Sequence, residues 1–180
     1  MTTIRSRGRR RAFFAAGDFP ELVELQREWP TIRDEARQAL DTLGPVLGHP
    51  VGHSWILPLV PEAEDQDLIP AEVCARAREL APIATARCSA VPYVVAFAFS
   101  RLVPGKHIAL HTHWNPYLSG ILTLDDGGAN SHILVDGQRH DFVDGDLMLF
   151  DYTLPHESKN EGERDRIVML MIIDRRLQRR

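Results

Sequence analysis

Three histidines set the chemistry to look for. His111 and His113 are separated by one residue, and on a strand residues two apart share a face, so both imidazoles can address one ion while Thr112 points away. His156 follows Phe150-Asp151-Tyr152-Thr153-Leu154-Pro155, a strand exit with a turn, so a third imidazole can arrive from a different strand. A lone His-x-His is a weak metal signal; with a third histidine converging on it, the pattern becomes a candidate metal centre. Of the eight histidines, His107, His132 and His140 read as outward-facing or structural, and His53 beside Trp55 has no assigned role.

Strands must hold such residues, and the apolar pattern supplies them. After Ala90 the period is two, with Tyr93, Val95, Phe97 and Phe99 on one face. Short strands follow at Ile108 to His111, Leu118 to Leu124, His132 to Val135, Gln138 to Phe142, Leu147 to Phe150 and Arg166 to Asp174, separated by turns such as Asp136-Gly137 and Asp144-Gly145. This spacing predicts a small antiparallel jelly roll. Upstream, Leu22, Leu25, Trp29, Ile32, Ala36, Leu40 and Leu43 recur at helical steps behind a start marked by Asp18, Pro20 and Glu21, with a break at Pro30. A second helix is expected from about Pro70 to Leu80, ending near Pro82. The expected fold is mainly β with flanking helices, a double-stranded β-helix preceded by an N-terminal helical part. Its domain is expected over 18–174, with basic tails at 1–17 and 175–180.

Gly105, five residues, His111-Thr112-His113 and then His156, three residues, Asn160 resemble the two metal motifs of the cupin superfamily. The glutamate of that pattern is absent, since Tyr117 and Leu118 stand where it would lie. A second resemblance spans Phe19 to Asp174. Phe19-Pro20-Glu21-Leu22, Glu28-Trp29-Pro30-Thr31-Ile32-Arg33-Asp34-Glu35, Ser100-Arg101-Leu102-Val103-Pro104-Gly105-Lys106-His107, His111-Thr112, Phe150-Asp151, His156-Glu157 and Arg166 resemble the aspartyl/asparaginyl β-hydroxylase family. The resemblance implies a jelly-roll oxygenase that uses Fe(II), 2-oxoglutarate and O2, hydroxylates a C–H bond of an aspartyl- or asparaginyl-like substrate, and releases succinate and CO2. It implies His111 and His156 as iron ligands, and His113 permits a third.

Arg166 lies ten residues after His156 on the next strand, where a guanidinium can form a bidentate pair with the distal carboxylate of 2-oxoglutarate; a surface ion pair with Glu163 or Asp165 is the competing use. Ser100 matches a family serine that binds the same carboxylate. On the strand after the first ligand, the family's arginine and histidine are replaced by Leu118-Ser119-Gly120-Ile121. Trp114, Asn115 and Tyr117 follow the candidate ligands and are expected at the substrate pocket. Two rivals stand beside this reading: a three-histidine cupin dioxygenase that does not use 2-oxoglutarate, and a cupin-like small-molecule-binding module without turnover.

Composition bounds the partners. The 180 residues are 44% hydrophobic and 26% charged, which is globular, and 21 basic against 25 acidic side chains give a net charge of -4, unlike a nucleic-acid binder. The longest near-continuous apolar run, Val91 to Phe99, is about half of a membrane-spanning helix. The amino-terminal arginines precede an apolar stretch too short for a secretory signal, and Cys74 and Cys88 read as inert thiols, so a cytoplasmic location and a small-molecule, amino-acid or peptide substrate are expected. Oligomeric state is left open by the sequence.

Overall fold

The computed structural model describes residues 11–44, 47–48, 54–63, 68–128 and 130–178, so the first ten residues, His53 and Arg179–Arg180 lie outside it. The elements in order are β1 (Phe13–Phe14), α1 (Pro20–Gln26), α2 (Trp29–Leu43), β2 (Leu47–Gly48), β3 (Ser54–Val60), α3 (Ala71–Leu80), α4 (Pro82–Ser89) and β4 (Val94–Leu102). They continue with β5 (Lys106–His111), β6 (Leu118–Asp126), β7 (Ser131–Val135), β8 (Gln138–Asp141), β9 (Leu147–Asp151), β10 (His156–Asn160), β11 (Arg166–Ile173) and α5 (Arg175–Gln178). The strands form a seven-stranded sheet in the order β1-β9-β6-β11-β4-β3-β2 and a four-stranded sheet in the order β5-β10-β7-β8, every pair antiparallel. This is the jelly roll that the spacing predicts.

Two apolar layers hold it. On the outer face of the large sheet, Leu22 and Leu25 of α1 and Ile32, Ala36 and Leu40 of α2 pack with Phe97, Phe99, Leu122, Leu149, Met169 and Met171. Between the sheets lie Ile121, Ile133, Val135, Phe142, Phe150 and Val168. Full burial of each large aliphatic or aromatic side chain is worth roughly 1.5–3 kcal/mol, so the helices are fixed chiefly by this stripe. Because both faces of β11 are covered, it alternates between the helix layer, through Ile167, Met169, Met171 and Ile173, and the barrel interior, through Arg166, Val168, Leu170 and Ile172.

Several boundaries differ from expectation. The helical break falls at Arg27–Glu28, with Pro30 in the first turn of α2, where a missing N–H costs nothing. Phe19 rather than Asp18 occupies the cap position, and no side chain caps α1. Pro82 does not close the helical region but opens α4, whose backbone N–H groups at Ile83 and Ala84 donate to the Glu35 carboxylate at 2.8 and 2.9 Å. That anion sits at the positive end of a helix and comes from α2, far away in sequence. Within the expected tails, Ala12 is buried, Phe13–Phe14 pair with β9, and Arg175–Gln178 form a short helix. Val95 is exposed because β4 is bulged against β11 there, while Phe97 and Phe99 are buried as the alternation requires. The Asp136-Gly137 hairpin has φ of 48° and 73° at its two central residues, the conformation that favours Asp-Gly. No described helix is long and apolar enough to cross a membrane.

Candidate active site

Cross-strand pairing builds the histidine cluster. His111, the last residue of β5, lies directly opposite His156, the first residue of β10, so their side chains project from one face of the small sheet. Their ring centroids are 4.3 Å apart. β5 ends at His111, so His113 arrives from the following loop rather than from the same strand. Its N–H donates to the Tyr152 carbonyl at 3.4 Å, and its ring stacks on Tyr152 with centroids 3.7 Å apart and planes 10° from parallel. One ligand atom from each of the three histidines lies within 4.8 Å of the other two.

Backbone carbonyls select the tautomers. His111 Nδ1 lies 2.7 Å from the Ala109 carbonyl oxygen and His156 Nδ1 lies 2.8 Å from that of Leu154. A carbonyl only accepts, so each Nδ1 carries the proton and Nε2 becomes the lone-pair nitrogen, the arrangement of a metal-binding imidazole. Phe150 packs its ring edge-on to His156 at 5.1 Å, and burial pushes His156 down to about 4, aided by His111 and opposed by the Leu154 hydrogen bond, so it is neutral at pH 7. Asp151 fixes the turn into β10 by accepting from the N–H and hydroxyl of Thr153.

Arg166 is 2% exposed and has no ion pair among the described residues. Neither surface partner takes it, because the nearby Asp165 carboxylate pairs with Arg101 at 3.5 Å. Its Nη1 donates to the Ser158 hydroxyl, its guanidinium lies over the Phe142 ring at 4.3 Å, and its buried Nε has no hydrogen-bond partner. Burial without a counter-charge pushes it down to about 9. Ser158 is two residues beyond His156 on β10, a strand step of roughly 7 Å, so the guanidinium stands about that far from the imidazoles along the sheet. Ser100 of β4 is opposite Val168 of β11 and lines the same cavity.

A cavity of about 490 Å³ joins these groups, lined by all three histidines, Arg166, Ser100, Ser158 and Tyr152 within largely aliphatic walls. Trp114, Asn115 and Tyr117 do not line it; Trp114 is 81% exposed, and Tyr117 sits under Arg176 with centroid distance 6.0 Å. These three residues, expected at the substrate pocket, lie on the segment between β5 and β6, outside the cavity lining. Sequence reasoning missed Tyr152, Ser158 and Phe142. Ser158 had a legible signal, since period two from His156 places it on the ligand face. Asn160 is not in the site: its amide donates to the Leu102 and Arg164 carbonyls at 2.7 and 2.8 Å and ties together the ends of β10 and β4. Gly105, at φ 71°, makes the β4–β5 turn and donates its N–H to the Asn160 carbonyl at 2.8 Å. Of the other histidines, His107 lies 2.7 Å from Glu157 and His140 lies 2.8 Å from Asp146, both away from the cluster, whereas His132 is buried.

A cupin-like jelly roll with clustered imidazoles at one end of its interior and a lone buried guanidinium deeper within is the class that the fold and site define. The sequence model described as Aspartyl/Asparaginyl beta-hydroxylase matches residues 64–176. The chain belongs to that family, and so stands among hydroxylases; the motif from Phe19 to Glu35 lies outside the matched stretch. A crystal structure of a Pseudomonas putida prolyl-4-hydroxylase is similar in fold, with 21% identity, a TM-score of 0.52, and 82% of this chain and 86% of that one covered. The Cupin_2 domain of an XRE family transcriptional regulator from Enterobacter cloacae is 14% identical with a TM-score of 0.44, covering 67% of this chain and 96% of that one. No curated protein matches the sequence.

Proposed function

We propose that this protein is an Fe(II)- and 2-oxoglutarate-dependent dioxygenase that hydroxylates a C–H bond of a small-molecule, amino-acid or peptide substrate. The observation that carries the reading is Arg166, a buried cation without a carboxylate partner that opens on the same cavity as three clustered imidazoles. Burying a charge unpaired costs several kcal/mol, so a site that retains one is suited to an anionic ligand.

The residues fit the cofactors. His111 and His156, with their Nδ1 atoms tied to carbonyls, would hold iron, with His113 as a third nitrogen in reach, and imidazole donors suit this metal. When bound, iron with 2-oxoglutarate and O2 supplies the oxidising chemistry, with succinate and CO2 as the cosubstrate's products. Arg166 would grip the distal carboxylate as a planar fork. Ser158 orients that fork, because its hydroxyl accepts from Arg166 and donates to the His132 carbonyl at 3.2 Å. Ser100 would offer a hydroxyl to the same carboxylate. Ile121, Val168 and Leu170 wall the space between and exclude water, which strengthens both charge interactions.

The test is succinate release with iron, ascorbate and 2-oxoglutarate, with His156→Ala as control; release no greater than the control's, with or without candidate substrates, would sink the proposal. The position of His113 within the cluster favours a second reading, a three-histidine dioxygenase that needs no cosubstrate. Turnover that survives Arg166→Ala without 2-oxoglutarate selects it, and a protein that takes up no metal is a binding module instead.

A further inference from the structure

Resting on that reading, we propose that the substrate delivers an uncharged aliphatic chain, not an aspartyl carboxylate or asparaginyl amide, to the cavity lobe beside β3. Ile56, Pro58 and Val60 line that lobe from β3, and Leu68 and Ile69 from the segment before α3. The neighbouring strand lines the cavity with Ala96, Phe97 and Ala98 beside Pro58 and Val60, the two alanines opposite Ile172 and Leu170 of β11, and with Ser100 beside Ile56. Small side chains between larger aliphatic ones leave room for a chain, and Ser100, whose hydroxyl would bind the cosubstrate's carboxylate, is the one side chain among these that can hydrogen-bond. Apart from the imidazoles, Arg166 is the sole cation lining the cavity among the described residues, and on that reading the cosubstrate's distal carboxylate would take it. A second carboxylate would be buried without a counter-charge, which is strongly unfavourable. The carboxylate that lines the wall among the described residues, Glu62, accepts from the Tyr152 hydroxyl at 3.4 Å and offers an acidic substrate no cation, and the β6 residues that line the cavity are Ser119 and Ile121. Leu68 is 70% exposed while lining the cavity, an apolar lip of the kind that an aliphatic ligand covers.

An aliphatic chain of this kind comes either from an amino-acid side chain or from an acyl group, and the probes separate the two. The full chain is titrated calorimetrically, with Mn(II) and 2-oxoglutarate present, using N-acetylleucinamide, N-hexanoylglycinamide, N-acetylaspartamide and N-acetylasparaginamide; 2-oxoglutarate binding is recorded separately. At least one aliphatic probe is expected to bind about ten- to a hundred-fold tighter than either polar probe, the gain of burying one such chain. A preference for the leucine probe identifies an amino-acid side chain, and a preference for the hexanoyl probe an acyl group. Val60→Arg, at the half-buried end of β3, should reverse the order in favour of the aspartyl probe, and the exposed Leu68→Ala should weaken aliphatic binding several-fold with 2-oxoglutarate affinity retained. Equal or tighter binding of a polar probe, no binding of either aliphatic probe, or an order unmoved by Val60→Arg overturns the inference. Loss of 2-oxoglutarate binding alone overturns the cosubstrate reading and leaves the aliphatic preference measurable.

Discussion

Replacing Arg166 by Met should make the ligand-free protein more stable while abolishing its response to 2-oxoglutarate. Arg166 is 2% exposed, lacks an ion pair among the described residues, and is compensated only by the Ser158 hydroxyl and the face of Phe142. Burial lowers its pKa to about 9, so at pH 7 the native state carries a penalty that the unfolded state escapes. Methionine fills similar length and removes the charge. It also leaves the Ser158 hydroxyl with one bond fewer, which returns about 1 kcal/mol of the gain. Swapping buried ionic groups for apolar ones commonly gains about 1–4 kcal/mol, so a net gain of up to about 3 kcal/mol is expected, or up to roughly 12 °C in Tm for a chain of this size. The assay is thermal unfolding with and without 2-oxoglutarate. Wild type should gain about 2.7 kcal/mol at a hundred times its Kd, and Arg166→Met nothing at the same concentration. A variant destabilised like a core truncation, or one still stabilised by 2-oxoglutarate, would refute the assignment of Arg166 as an anion site.

Other outcomes follow from the same geometry. His156 has its folded pKa depressed from 6.5 to about 4, so the unfolded chain takes up its proton first and metal-free stability falls as pH drops from 6.5 to 4; up to about 3 kcal/mol is lost, and His156→Gln should flatten that part of the curve in chemical denaturation. His113→Ala should weaken iron binding less than His111→Ala or His156→Ala, as read by metal competition, because His113 comes from a loop and rests on Tyr152 rather than being set by strand register; equal losses would make it a full ligand. Gly105→Ala, at φ 71° with nothing within 4 Å of the added methyl, should cost about 1–2 kcal/mol through backbone conformation alone, seen as a lower urea midpoint with unchanged slope.

How much was legible depended on which face each strand shows to water. Strands with an apolar inward face, such as β6, β9 and β11, stood out in the sequence because burial wrote their pattern. β10 did not, since His156, Ser158 and Asn160 are its buried residues and Glu157 and Lys159 alternate with them. A strand that lines a polar site carries no hydrophobic period, so the chemistry itself hid it. β3 was hidden by Pro58, which interrupts an otherwise apolar run, and α4 by Pro82 and by a cap supplied from α2. The convergence of His111, His113 and His156 was legible as spacing, whereas the directions of Trp114, Asn115 and Tyr117 depend on the loop after β5, which no periodicity constrains. Cys74 and Cys88 were read as inert, and both are buried with thiols pushed up by desolvation.

The decisive observation is an anaerobic titration of 2-oxoglutarate into the Fe(II)-loaded protein, followed through the visible charge-transfer absorption of an iron-bound 2-oxo acid. Saturable absorption in wild type, none in His156→Ala, and a shift to far higher concentration in Arg166→Met is the predicted pattern. Absence of the band in wild type, or a titration unaffected by either substitution, contradicts the assignment of imidazoles and guanidinium to one shared ligand.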